Sequence, residues 1–476
     1  MKLFSFWLSI LPLFFPLYLI RWTVLGVPTT LLEILVGMTL VWGLTFLRPF
    51  HFKDPLKNTL TMLKSSLFSA SSLKLVNVTH LLRFPRFALK RSKADDFLKD
   101  NGIFQRVQKC SWSFPFLPVV LFLVASTLSM VLVPAVTLDI NGDLVESARI
   151  SQGIWKGWIV MPLVYFVMVY LIKKDSIWWA RTFKALAFSG FLMGVWAIWQ
   201  MMMWDYVTSD GRASGPFESA NYLSLYLAPV TLMSFTQWLK AFKGKMEERV
   251  GWTLLLVVMV IGLLGSQSYA AFIALAGGVI FYLIFTKDLS FKYKKIAFIV
   301  AGILGIIGIL VQFNTPKFQQ FLDFSNRTSS SVRIEVYTIA TKLIQQHPFL
   351  GIGLGQFEVQ YQVNAPEILG HAPYEWVMLH PHNLLLAWWL NTGLLGLMAM
   401  GWLMVGVFWK GLHHEKERLW TRWFHQVKEW VVGPEFQIRL IGLSMLVVIL
   451  VHGLFDTPFF KNDLAYLWWL VLAMGV

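Results

Sequence analysis

Residues 251–286 read GWTLLLVVMVIGLLGSQSYAAFIALAGGVIFYLIFT, with no charged side chain anywhere in the run. Two apolar windows, 251–265 and 268–286, flank the turn Gly265-Ser266-Gln267-Ser268. Each comes close to the ~20 residues that cross ~30 Å of hydrocarbon as a helix. We read two spans joined by that turn; a single continuous helix would put every later loop on the opposite side of the membrane.

Similar windows recur near 3–20, 28–47, 114–134, 155–172, 182–204, 218–238, 296–313, 382–409, 438–454 and 463–476. The expected fold is all-α: a polytopic transmembrane helical bundle of about 12 spans, counted with a span-length window. It would form one integral membrane domain over 1–476. A chain that is 56% hydrophobic and only 14% charged, with 23 Trp and 39 Phe, cannot present a soluble globule's polar surface.

The net charge of +15 raises the question of nucleic acid, and the placement of the basic residues answers it. With a cytoplasmic N-terminus, Lys2 and the loops 48–113, 173–184, 239–250, 287–295 and 410–439 hold 32 of the 41 Lys and Arg. That is the positive-inside bias. It puts 135–154, 205–217, 314–381 and 455–462 outside. The single cysteine, Cys110, falls on the cytoplasmic side, so no intrachain disulfide can order the outer loops. The first apolar segment is followed by Arg21-Trp22 and no small-residue cleavage pattern, and reads as a retained span.

The insertion 48–113 mixes leucines with Lys57, Lys64, Lys74, Arg83, Arg86, Lys90 and Arg91. It suits a helix on an anionic inner leaflet, or a solvated basic linker. The segment 410–439, with Trp420, Trp423 and Trp430, also suits a surface helix. Within the spans Glu33 is the main ionisable exception, near a span end. Ion-driven transporters place such groups at mid-membrane, so that class is disfavoured, whereas a lipid flippase with a polar groove is not.

Most candidate chemistry lies in the large outer loop 314–381, between the ninth and tenth spans, and just beyond it. Asn326-Arg327-Thr-Ser-Ser-Ser331 suits the cap of a helix. From Val332, apolar Val336, Ile339 and Leu343 recur at helical spacing until Gln345-Gln346-His347-Pro348. Arg333 and Tyr337 are one turn apart. Gly351-Ile-Gly353-Leu-Gly355 lacks the strand and lysine of a nucleotide loop, and reads as a tight turn bringing backbone close to another segment.

His380-Pro381-His382-Asn383 opens the next span. With Pro381 in the first turn, His382 would sit at a helix N-terminus, where the dipole disfavours imidazolium and leaves the ring a proton acceptor. Two other readings stand: a zinc site made by His380 and His382 with His371 or Glu375, and a structural interface histidine. Arg212, in the loop before Gly215, can hold an anionic headgroup, or snorkel to lipid, or cap a carbonyl. His452 and Asp456 are four apart and could face one another if the helix continues.

Taken together, Arg212-Ala-Ser-Gly215-Pro-Phe-Glu-Ser-Ala-Asn221, Arg333, His347-Pro-Phe-Leu-Gly351-Ile-Gly353-Leu-Gly-Gln-Phe357 and His382-Asn383 with Gly393 and Gly396 resemble the O-antigen ligase and O-antigen polymerase superfamily, over roughly 190–476. Gln267 stands where many members carry arginine, and Leu397-Met398 where ligases often carry Thr-Pro. The resemblance implies transfer of a glycan from a polyprenyl diphosphate, usually undecaprenyl diphosphate, to an acceptor hydroxyl. The reaction would take place at the outer face of the bacterial cytoplasmic membrane, without metal or other cofactor. His382 would be the base; Arg212, Arg333 and Arg327 would hold the diphosphate; Asn383, Tyr337, His380, His452 and Asp456 would support them. The acceptor could be lipid, glycan or protein, and a flippase or a non-catalytic organiser remains the contrasting class.

Overall fold

The computed structural model describes residues 2–24, 27–45, 114–134, 139–140, 143–144, 147–172, 175–206, 211–242, 244–286, 294–295, 299, 302, 329–425 and 434–476. The basic insertion 48–113, Cys110, Arg327 and nearly all of the window 296–313 lie outside the described residues.

The chain is a helical membrane protein. Its helices are α1 (Lys2–Ile10), α2 (Leu31–Thr45), α3 (Phe116–Leu132), α4 (Ser147–Ile154), α5 (Met161–Leu171), α6 (Ser176–Met203), α7 (Ala220–Ala241), α8 (Met246–Gly265) and α9 (Tyr269–Phe285). They continue as α10 (Ser329–Gln346), α11 (Phe357–Leu369), α12 (Leu384–His425), α13 (Pro434–His452) and α14 (Asn462–Gly475). Among the described residues six helical stretches are long and apolar enough to cross a membrane, and four shorter apolar helices accompany them. The 251–286 run is indeed two helices, α8 and α9, with Gln267 at φ 49° in the turn.

Prolines and local geometry modify several elements. In the first span, Pro12 and Pro16 remove backbone donors, and α1 passes into a 3₁₀ segment, Leu11–Leu19. A π-helical stretch, Trp155–Val160, joins α4 to α5. Two small antiparallel pairs also occur, Arg21–Val24 with Val27–Thr30 and Asp139–Ile140 with Asp143–Leu144, which the all-α reading does not include.

The core sorts by depth. Residues Leu464 to Met474 of α14 are all buried, with Trp468 and Trp469 fully enclosed, so this helix is apolar all round because it is surrounded on every side. It packs on α5 and α13, while α9 packs on α13, α8 on α6 and α7, and α12 along α3. On outer helices Leu254, Val257, Ile273, Ile284 and Val405 remain exposed, as expected of surfaces that contact lipid instead of water. A second, smaller core unites Val336, Ile339 and Leu343 of α10 with Phe357, Tyr361 and Ala365 of α11 and Leu390 of α12. The three apolar positions picked out by helical spacing therefore all face inward.

Candidate functional site

Four segments converge at one end of the bundle: the loop 211–219, the 347–355 turn with α10, the start of α12, and the 453–461 turn after α13. The first is fastened by Gln200, a buried amide near the end of α6. Its Oε1 accepts from the Ser214 and Gly215 amides at 3.0 and 2.7 Å, and its Nε2 donates to the Gly215 carbonyl at 2.9 Å. The Ala213 amide donates to Gly265 O at 3.0 Å, which ties the loop to the α8–α9 turn. Arg212 then reaches inward, its Nη1 donating to Asn221 Oδ1 at 3.1 Å and to Ser266 O at 3.4 Å. The carbonyl-capping reading of Arg212 thus describes one of its contacts.

The glycine-rich turn is a backbone crossing. Ile352 N donates to Leu390 O at 2.8 Å and Leu394 N to Pro348 O at 3.1 Å. A Cβ on Gly351 would meet the Leu390 carbonyl, and one on Gly393 would meet the Phe349 carbonyl. Gly393 also interrupts α12 with φ 67°, ψ −175°. Both positions therefore require glycine, for contact and, at φ 72° and 67°, for backbone angle. The crossing clamps α10 to α12 and so fixes Tyr337 and Arg333 relative to His382.

The start of α12 differs from the expectation that put Pro381 in its first turn. The helix begins at Leu384, and Asn383 is its cap, Oδ1 accepting from Leu385 N and Leu386 N at 3.0 and 3.1 Å. His382 lies just outside, at φ 48°, its carbonyl accepting from Tyr337 Oη at 3.1 Å. Left-handed backbone is uncommon outside glycine, and here it is held by the Tyr337 bond to the His382 carbonyl and the Asp456 contact with its ring. Asn383 Nδ2 also donates to Leu454 O at 3.2 Å, which joins α12 to the 453–461 turn.

That turn delivers Asp456. Its buried Oδ1 lies 3.3 Å from His382 Nδ1 and 3.6 Å from His380 Nε2, and it accepts from Thr457 N at 2.8 Å. Burial pushes the carboxyl up, but the hydrogen bond with His382 and the neighbouring imidazoles outweigh it, so Asp456 sits well below the usual carboxylate range. An Nδ1–H directed at that carboxylate would leave the lone pair on Nε2, the tautomer a general base needs. His380 is pushed down to about 4, first by burial and then by His382, so it stays neutral at physiological pH.

The other residues singled out from the sequence divide. His452 is buried, and among the described residues neither ring nitrogen is hydrogen-bonded, so the expected facing pair with Asp456 does not form; Asp456 turns to His382 instead. Arg333 is half-buried, close enough to Tyr337 and His452 to act on both electrostatically. Among the described residues no hydrogen-bond acceptor or carboxylate engages its guanidinium. His371 lies 3.9 Å from Glu335 and away from the histidine pair, which corrects its place in the zinc reading. The donors that do gather are His380, His382 and Asp456, within 4.8 Å of one another, a set whose atom types suit zinc.

Sequence reasoning missed Tyr222, Lys461 and Glu218 as parts of the site. Tyr222 Oη is 3.2 Å from His380 Nε2, and the Lys461 ammonium lies 3.2 Å from the centre of the Tyr222 ring. Burial lowers Lys461 to about 8, against the pull of Asp463 and Glu218. Glu218, 3.0 Å from Arg21 and 3.4 Å from Lys461, is raised by burial but lowered more by these two cations, ending below its ordinary value. The sequence cues were of position: Glu218 lies inside the Arg212–Asn221 motif, and Tyr222 directly follows it.

Residues 254–401 match the O-antigen ligase family. Proteins provisionally named polysaccharide ligases, from Rickettsia conorii and Rickettsia felis, are each 26% identical over 196 residues, covering 40% of this chain and 47% of theirs. The chain spans about half the length of the curated relatives it matches. The family match takes in Arg333, the glycine crossing and His382, and leaves Arg212, Asp456 and Lys461 outside.

Proposed function

We propose that this helical membrane protein, similar to O-antigen ligases over residues 254–401, transfers a glycan from a polyprenyl diphosphate to an acceptor hydroxyl. The observation that supports this most is the His382–Asp456 contact at 3.3 Å, next to an arginine, Arg333, whose fork is uncommitted among the described residues. A donor that already carries a diphosphate leaving group requires two things of the protein. One is a base for the acceptor hydroxyl, the other a cationic cradle for the departing charge.

His382 Nε2 takes the acceptor proton as the hydroxyl oxygen attacks the anomeric carbon. Asp456 orients the ring and stabilises the imidazolium that forms. The bond from the anomeric carbon to the diphosphate oxygen breaks, and Arg333 with Arg212, joined in this reading by Arg327, stabilises the phosphate charge through planar two-pronged contacts. Direct attack inverts the anomeric centre. Asn383 and Tyr337 fix the His382 backbone, and His380 shares the carboxylate. The site faces outside the cytoplasmic membrane of a bacterium, where the basic-residue bias puts 314–381.

In vitro turnover with a defined polyprenyl-linked glycan and a panel of acceptors tests the activity and separates a ligase from a repeat-unit polymerase or a protein O-oligosaccharyltransferase. Movement of lipid-linked glycan across the bilayer without a new glycosidic bond would identify a flippase instead. The reading is metal-independent, so turnover should survive EDTA; loss on chelation with recovery in zinc would turn His380, His382 and Asp456 into ligands. A cysteine probe at Gln362 should react from outside intact cells and one at Lys93 should not.

A further inference from the structure

The proposed reaction uses one edge of α10, at Arg333 and Tyr337, and leaves the adjoining face unexplained. Between that face and α11 lies an open cleft of about 710 Å³. Its lining is unusual for a surface beside a membrane. Thr338, Thr341, Gln345 and Asn364 supply hydroxyls and planar amides, with the Tyr337 ring at one end; Lys342 and Glu367 are the charged members.

The volume falls within the ~300–1,000 Å³ typical of ligand sites. Hydroxyls and amides can donate and accept at once, which matches the alternating donors and acceptors of sugar hydroxyls. Ile334 and Ile368 set apolar patches among these groups, which suit the C–H faces of sugar rings, whereas a lipid chain lying here would leave the hydroxyls and amides between them unpaired. A diphosphate would need a cluster of cations, and Glu367 opposes the one lysine present.

The cleft is also fixed relative to the base. Tyr337 lines it, and the same side chain donates to the His382 carbonyl at 3.1 Å. Beneath it, Val336, Ile339 and Leu343 bury the opposite side of α10 in the small outer core, so the polar face is held rigidly against α11. Asn364 is oriented by its own helix, Nδ2 donating to Gln360 O at 2.7 Å, which leaves Oδ1 as an acceptor in the cleft.

We infer that the α10–α11 cleft is an oligosaccharide-binding subsite, holding the sugars next to the reacting hydroxyl or anomeric carbon while His382 acts. This rests on the proposed glycan transfer for its biological meaning, but not for its test. Both donor and acceptor carry sugars, and the experiment distinguishes them.

The full chain in nanodiscs would be studied by saturation-transfer NMR with two probes. These are the soluble oligosaccharide released from the donor lipid and the deacylated acceptor glycan, both from the producing strain's envelope. The wild type should saturate one probe, and its identity tells which substrate the cleft holds. His382→Ala should keep that signal although it cannot transfer. Thr341→Trp, which fills the cleft from an exposed position, should lose it. In turnover, Thr341→Trp and Asn364→Ala should raise KM for the same glycan by about tenfold or more, equivalent to ~1.4 kcal/mol. Their rate at saturating glycan should fall far less, and the thermal midpoint should be unchanged. Neither probe saturating, or signals and KM unaltered when the cleft is filled, would overturn the subsite. Normal transfer by His382→Ala would instead overturn the proposed mechanism, with the binding result standing apart.

Discussion

Two buried acid–base groupings sit at helix starts, and they are built to different ends. At α2, Thr30 Oγ1 donates to Glu33 Oε1 and accepts from Glu33 N, both at 3.2 Å, and Lys156 Nζ lies 3.0 Å from Glu33 Oε2. Lys156 also donates to Pro28 O and Thr29 Oγ1, each at 2.6 Å. Two of the lysine hydrogens have acceptors and the ammonium is ion-paired with the carboxylate, which Thr30 holds from the other side. At α12, Asp456 is held as firmly, but what surrounds it is incomplete: among the described residues His380 Nδ1 and both His452 nitrogens lack hydrogen bonds, and His382 is strained at φ 48°. Unmet polar capacity is expensive where burial is complete, so a fold keeps it only where another structure compensates or a ligand completes it. The first grouping locks the chain, and under the proposed function the second is the one open to substrate.

The largest effect should come from the open cluster. His382→Ala removes the base while leaving the arginines, so transfer should drop by the ~10²–10⁴ of lost acid–base catalysis while donor affinity persists. Asp456→Asn keeps the shape but cannot hold Nδ1–H with a full charge, so turnover should fall on the order of 10²-fold, again with donor bound. A His382→Ala protein that fails to bind donor would show that the histidine is part of the cradle. Equal turnover by Asp456→Asn would make the carboxylate merely structural.

Arg333→Lys comes next. It retains the charge but loses the planar fork, so donor affinity and turnover should weaken together by about tenfold or more, the value of one charge-assisted hydrogen bond. Parallel measurement of donor Kd and kcat separates this from an effect on the base.

Acid should distinguish the two groupings through stability. An ordinary histidine takes its proton near pH 6.5 in the unfolded chain, whereas burial holds His380 to about 4 in the fold. The unfolded state therefore binds more protons between these values, and stability should decline as pH falls from about 6.5 to 4. Asp456, whose native value lies below the ordinary one, contributes at every pH above about 4 and adds nothing to that decline. His380→Gln should make the fall of the thermal midpoint across this window less steep; an unchanged slope would place the titrating group elsewhere.

What could be read from the sequence was what local pattern decides. The apolar steps at Val336, Ile339 and Leu343 follow from one helix's geometry, and the turn at 347–355 from glycine and proline. The partner of Asp456 could not be read that way. Its nearest histidine in the chain, His452, shares its helical face on paper, but α13 ends at His452 and the turn carries the carboxylate to a residue 74 positions earlier. Glu218 meets Arg21 and Lys461 across separations of 197 and 243 residues. Such contacts depend on how helices pack, and no spacing rule contains them. Pro381 misled for a related reason: its preference for a first turn is local, whereas the Asn383 cap and the Leu384–Gly453 bond that set the real start are partly tertiary.

The smallest effect on turnover should come from the closed grouping. Lys156→Ala strips the buried Glu33 carboxylate of the ammonium 3.0 Å away. Lys156 is about a third exposed, which moderates its contribution, so the cost should be that of an under-satisfied buried group, about 1–3 kcal/mol. Because α2 and the Pro28–Thr29 strand form no part of the His382 cluster, kcat per folded molecule should stay at the wild-type value. Thermal midpoint and turnover measured on one preparation decide the matter. A lower midpoint with normal kcat supports the division between a lock and an open site, whereas loss of turnover by a protein that melts normally would mean that Glu33 belongs to the chemistry and that the two groupings are coupled.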